Sequence, residues 1–181
     1  MSFAGRVWLF DLDNTLHNAT PHIFPHINRS MRQYIERHLG VDESEASRIR
    51  QDYWLRYGAT LRGLMRHHGT DPNHFLRETH QFLDLRRMLD FQKPMLHTLR
   101  KLPGKKILFS NAPRHYTDAI LEMTGLDRCF AAIYSVESLR FQPKPMLAGF
   151  RTLLCAEHLD PNAASWSKTA CPTWSAPRNS A

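Results

Sequence analysis

A chain of 181 residues with 42% hydrophobic and 23% charged residues, 8 Gly and 11 Pro has an ordinary globular composition, with room for one domain and a small insertion. That mix excludes a fibrous or wholly disordered chain, and the apolar runs are too short for a membrane span or a signal peptide, so a cytoplasmic location is expected. The formal charge of +7 invites an anionic partner, but Lys and Arg are scattered between apolar positions as on solvated helix faces, not gathered into a nucleic-acid arm.

Arg6 to Phe10 reads as a short buried strand that runs straight into Asp11 and Asp13. From His17 to about Leu102 the pattern is helical. Asp42 with Glu45 has capping-box spacing ahead of one helix that Gly58 can end, and Asp71-Pro72 starts another. "KPMLHTLRKLPG", Lys93 to Gly104, is a helix with a Pro-Gly stop. Strand character returns in "KKILFSNA", Lys105 to Ala112, followed by a helix from about Arg114 to Thr124 that Gly125 can terminate. "AAIYSVES", Ala131 to Ser138, is a third strand, and Pro145 is expected to open a helix through about His158. Strands alternating with helices, each strand ending in polar groups, predict an α/β fold with an open parallel sheet and a site at the strands' carboxyl edge. The helical block becomes an insertion over that edge.

Asp11 and Asp13, two positions apart in extended chain, can project toward one side, where their charges repel unless a cation joins them. Mg²⁺ suits that place, because it prefers oxygen ligands and commonly takes one or two carboxylates, water and a substrate phosphate. One carboxylate can then attack phosphorus while the other handles the leaving-group proton.

"DLDNT", Asp11 to Thr15, resembles the D-x-D-x-T signature of the haloacid dehalogenase superfamily. Ser110 in "ILFSNA" resembles the second motif, and Lys144 in "QPKP" the third, in the right order. The resemblance covers about residues 5 to 160. It implies a Rossmann-like core at 1–16 and 103–160, a helical cap at 17–102, and a Mg²⁺-dependent phosphomonoester hydrolase. Asp11 is then nucleophile and metal ligand, and Asp13 is acid/base and binds Mg²⁺ through its backbone carbonyl. Ser110 would hold the substrate phosphate, Asn111, Thr15 and Arg62 would bind the substrate, and Lys144 would neutralise nucleophile and phosphate. Dehalogenases of the superfamily lack the second aspartate, so Asp13 favours phosphoryl transfer. The implied partner is a small phosphorylated metabolite, with no nucleic acid and no membrane; oligomeric state stays open. "YGATLRGLM", Tyr57 to Met65, and "SNAPRHYTDAILEMTGLDRCF" look like the pyrimidine 5'-nucleotidase branch, in which Tyr57, Thr60 or Arg62 would face a nucleoside monophosphate. Tyr57, Leu61 and Leu64 also read as an apolar packing stripe, and another small phosphate such as a sugar phosphate or phosphoglycolate remains the alternative substrate. A non-catalytic binder keeping the fold is disfavoured, since a polyanion binder gains nothing from two central carboxylates.

Eleven histidines, His67-His68 included, read as surface or packing residues, and Cys129, Cys155 and Cys171 suggest neither a disulfide framework nor a zinc site. The family's fourth motif, an apolar strand ending in an acidic pair, has no counterpart: no acid follows Asp160, and the composition shifts to Ser, Ala, Pro and Trp. Permitted codons for Ala164 to Ala181 can be chosen so that the frame starting at the third base of the Ala164 codon reads I-M-V-E-D-S-L-P-N-L-E-R-A-K-K-L-G. The tail at 161–181 is therefore expected to be a frameshift product, leaving the core incomplete, Mg²⁺ binding weak and activity low.

Overall fold

The computed structural model describes residues 6–159. The expectations for the 161–181 tail, and Cys171, lie outside the described residues. Three strands form a parallel sheet in the order β1 (Val7–Phe10), β2 (Lys105–Phe109), β3 (Ala132–Tyr134), with Phe10 beside Leu108 and Leu108 beside Ile133. β2 lies in the middle, and after its two leading lysines Ile107 to Phe109 form the buried apolar run of a strand covered on both faces. Its side chains alternate between two layers: Ile107 and Phe109 pack with Leu139 and Leu153, while Leu108 packs with Leu99, Ile120 and Leu121.

The chain between β1 and β2 carries α1 (Ile23–Leu39), α2 (Glu43–Tyr57), α3 (Thr60–His68), α4 (Pro72–Thr79), a single turn α5 (Leu85–Met88) and α6 (Pro94–Lys101). Asp42 accepts from the Glu45 N–H and Asp71 from the Asn73 N–H, as their spacing predicts. The C-cap of α2 is Gly58, at φ 75°. Helices α1 to α4 share a cluster of their own, with Tyr34, Ile35, Ala46, Leu61, Leu64, Phe75 and Leu76 closing on Val136 from the loop after β3. Helix α6 packs Leu99 on the sheet-side cluster. After β2 come α7 (Arg114–Thr124), a 3-10 turn at Asp127–Cys129, β3, and α8 (Leu147–Ala156).

Three local expectations are corrected. The first strand is half-exposed at all four residues, because β1 has a strand neighbour on one side only among the described residues. β3 is three residues long: after Tyr134 the chain winds into turns, with Leu139 N–H donating to Ser135 and both Arg140 and Phe141 at positive φ. The last helix begins at Leu147, not Pro145, because Pro143 to Met146 close a turn of their own through the Met146 N–H to the Pro143 carbonyl.

Candidate active site

Asp11 and Ser110 follow the carboxyl ends of β1 and β2, where the strands' last ladder bonds leave side chains free to converge. Lys144, far along the chain, joins them. Its Nζ lies 2.7 Å from Asp11 Oδ1, donates to the Phe109 carbonyl at 2.8 Å, and sits over the Phe109 ring. Asn111 fixes the lysine's backbone from both sides: its Oδ1 accepts from Lys144 N–H at 2.7 Å, and its Nδ2 donates to the Lys144 carbonyl at 3.1 Å. Ser110 is buried, its N–H held by the Tyr134 carbonyl and its Oγ accepting from Ala112 N–H, which leaves the hydroxyl proton free to donate.

The loop after β1 turns within the motif. Asn14 takes φ 57°, a left-handed conformation asparagine tolerates, and its Oδ1 accepts from the Ala19 N–H and the Thr20 hydroxyl. Asp13 faces a buried aromatic wall. Tyr116 Oη donates to Asp13 Oδ1 at 2.7 Å, and His17 Nε2 lies 3.1 Å from the same oxygen. Burial, and then the neighbouring Asp13 charge, push the Tyr116 phenol well above its ordinary range, so it keeps its proton and acts as the donor. Tyr116 is walled by Phe82 and His80, with ring centroids 5.4 and 5.9 Å away. His80 is pushed down to about 4, chiefly by burial, against the raising influence of Asp13, and is neutral at ordinary pH.

The sequence-derived residues thus divide. Lys144 meets Asp11 and Asn111 directly, and Ser110 follows the end of the neighbouring strand β2. Thr15 lines a depression of about 320 Å³ with Asn14, Asn18, Asp90, Gln92 and Met95, where the two chain segments joining β1 to α1 and α5 to α6 meet through an Asn18–Asp90 bridge. Arg62 donates to the Tyr57 carbonyl and lies 2.6 Å from Met146 Sδ, two residues beyond Lys144. Leu61 and Leu64 are buried packing residues, and Tyr57 Oη bonds His67 Nε2. His17 and Tyr116 were not singled out by the motif; the available signal was the i, i+4 spacing of His17 from Asp13. The histidines are not all surface residues, since His17 and His80 are buried beside Asp13. His22 and His26 have helical i, i+4 spacing, but the His26 Nε2 is engaged with the Gln81 carbonyl, and no group of three or more His, Cys, Asp or Glu among the described residues is arranged to hold a metal.

A magnesium ion fits the donor chemistry that is present. Asp11 is 44% exposed, and while its Oδ1 is taken by Leu12 N–H and Lys144, its Oδ2 has no hydrogen-bond partner among the described residues. A hard anionic carboxylate with an open position suits an ion that keeps several waters, and the backbone carbonyl of Asp13 would add a second oxygen while its Oδ2, also without a partner among the described residues, stays clear of the ion.

The family model for haloacid dehalogenase-like hydrolases matches residues 6–163. Phosphate metabolism protein 8 of Saccharomyces cerevisiae is 26% identical over 141 residues, which is 72% of this chain and 43% of that protein, so the chain spans less than half the relative's length. Among solved structures, a predicted phosphoglycolate phosphatase from Haemophilus somnus superposes with TM-score 0.56 at 19% identity, over 90% of this chain and 76% of its own. A phosphatase from Thermococcus onnurineus does so with TM-score 0.53 at 21% identity, over 90% and 75%. A haloacid dehalogenase from Xanthobacter autotrophicus gives 0.51 at 16% identity, over 90% and 69%. At these identities the structural likeness establishes the fold.

Proposed function

Since the chain belongs to the haloacid dehalogenase-like hydrolase family, we propose that it is a phosphomonoester hydrolase working through an aspartyl phosphate on Asp11, with a small phosphorylated metabolite as substrate. The observation that carries this reading is the convergence of Lys144 Nζ on Asp11 Oδ1 at the carboxyl edge of the sheet, where Ser110 follows β2 with a hydroxyl proton left to donate. Asp11 presents its unpartnered Oδ2 to phosphorus, while Lys144 holds the other oxygen and fixes the direction of the carboxylate. Ser110 and Lys144 donate to the phosphoryl oxygens, and the Asn111 N–H not used on Lys144 is available to the same group. Asp13 gives a proton to the leaving oxygen and takes one from water. Asp11 and Asp13 would hold Mg²⁺, which when bound supplies charge neutralisation at the phosphate.

The division we propose is a core at 1–16 and 103–160 with a cap at 17–102. The Asn18–Asp90 bridge, tying the segment after β1 to the segment after α5, supports a cap entered near residue 17, while α6 packs its Leu99 on the sheet-side cluster of the core. For the substrate we propose a pyrimidine nucleoside monophosphate, supported by the likeness of the Tyr57–Met65 and Ser110–Phe130 segments to that branch. The nearness of the Arg62 guanidinium to Met146, two residues from Lys144, is consistent with a cap group reaching the substrate. The test is hydrolysis of p-nitrophenyl phosphate with and without Mg²⁺, followed by a panel of nucleoside monophosphates and sugar phosphates. Turnover that needs both Mg²⁺ and Asp11 is expected, with uridine and cytidine monophosphates preferred. Turnover undiminished in Asp11→Asn would overturn the mechanism, and a preference for sugar phosphates the substrate assignment.

A further inference from the structure

We propose that Tyr116 and His17 are positioning residues that clamp one oxygen of Asp13, Oδ1, and so reserve the other, Oδ2, for proton transfer. This rests on the phosphatase reading above and extends it to residues outside the family's signature. Both donors reach the same atom: Tyr116 Oη at 2.7 Å from α7, and His17 Nε2 at 3.1 Å from the loop four residues after Asp13. The two donors are themselves 3.4 Å apart. No other hydrogen bond to the Asp13 carboxylate is made among the described residues, so Oδ2 is the free oxygen.

A carboxylate turns about its terminal torsion with a broad, two-fold preference, so an unpinned aspartate offers either oxygen to a substrate. Two donors on one oxygen remove that equivalence. They draw charge toward Oδ1, make Oδ2 the better place for a transferable proton, and hold it in one direction. The His17 ring carries a second sign that it is placed for Asp13 rather than for packing. Its side chain is wholly buried, and its Nδ1 has no hydrogen-bond partner. An apolar residue would fill that space without an orphaned polar atom, so the ring's orientation is explained by its Nε2 contact.

The proton path follows. As the Asp11 oxygen bonds to phosphorus and the bond from phosphorus to the leaving oxygen breaks, the Oδ2 proton passes to that oxygen and an alcohol departs. In the second half, water bonds to phosphorus, its proton passes to Oδ2, and the bond from phosphorus to Asp11 breaks, releasing inorganic phosphate. Substrate and water are consumed, and Asp13 is returned protonated.

The test uses the full chain with Tyr116→Phe, His17→Leu and His17→Gln, on an alkyl phosphate such as uridine monophosphate and on p-nitrophenyl phosphate, whose leaving group needs little protonation. General acid or base help is worth roughly 10²–10⁴-fold, so losing its alignment should lower kcat on the alkyl ester about tenfold or more with KM little changed. On the aryl ester, Tyr116→Phe and His17→Leu should release a burst of p-nitrophenolate and accumulate phosphoenzyme visible by intact mass, because phosphorylation proceeds while water attack is slowed. His17→Gln, whose amide N–H can reach where Nε2 lies, should lose less than His17→Leu. Equal losses on both esters with no phosphoenzyme, while the near-ultraviolet circular dichroism stays native, would overturn the clamp and leave the phosphatase reading intact. An unsubstituted chain without Asp11-dependent turnover would overturn that reading and the clamp with it.

Discussion

Lys144 and His80 leave separate signatures, the first in turnover and the second in the pH dependence of stability. Lys144→Gln keeps much of the stem but removes the charge 2.7 Å from Asp11. By comparison with the loss of one charge-stabilising donor, kcat should fall about 10²–10³-fold in steady-state assays. His80 acts on stability instead. It is buried, with its ionisation pushed from 6.5 down to about 4 by desolvation, and it faces Asp13, His115 and His26. The unfolded chain therefore takes up the proton first as pH falls. Stability is full above about pH 6.5, declines between 6.5 and 4, and the decline stops below that window. Between pH 7 and pH 5 this amounts to roughly 2 kcal/mol. Urea unfolding of the native chain and His80→Gln at both pH values should show that much less pH dependence in the variant; parallel slopes would contradict it. Legibility at this scale depended on chain order. Asp11 and Ser110 follow strand ends and could be read from pattern, and Lys144 from motif order, whereas Tyr116 reaches Asp13 across 103 positions and only the i, i+4 spacing of His17 from Asp13 offered a local signal.

Among the elements, α8 decides how the third site residue is held. Its Leu153 is fully buried against Ile107, Phe109 and Leu139, and Gly149 lies so close to the Gln142 carbonyl that an added Cβ would be 2.5 Å from it. Gly149→Ala should push α8 away from the turn that presents Lys144. The expected result is a KM increase together with a loss of thermal stability, read from Michaelis curves and melting. Leu153→Ala should cost about 2–5 kcal/mol in denaturant unfolding. The far end of α8 is tied down by Glu157, which pairs with Lys105 and accepts from Tyr134; those two hydrogen bonds, the lysine's first, hold its carboxyl below the ordinary range. The helices of the insertion were legible because caps and stops are local chemistry: Asp42, Asp71 and Gly58 do what their spacing says. The start of α8 was not, because Pro145 also suits a turn, and the choice between turn and helix is made by the packing of Gly149 and Leu153.

At the scale of the molecule, the sheet is covered on both faces of β2, but β1 is half-exposed with one strand neighbour among the described residues. The parallel architecture and the site at its carboxyl edge followed from strands that end in polar residues. The exposure of β1 did not, because its apolar run reads the same whether one or two neighbours flank it. We expect a chain whose tail reads I-M-V-E-D-S-L-P-N-L-E-R-A-K-K-L-G from position 164 to melt higher and bind Mg²⁺ more tightly than the present one, by calorimetry; equal values would remove the frameshift account. The central claim is chemical, and it concerns one atom. Intact-mass and peptide-mapping measurement after brief exposure to p-nitrophenyl phosphate and Mg²⁺ should find a single phosphoryl group on Asp11, absent from Asp11→Asn. Release of p-nitrophenolate with the phosphoryl group on another residue, or equally from Asp11→Asn, would contradict the account.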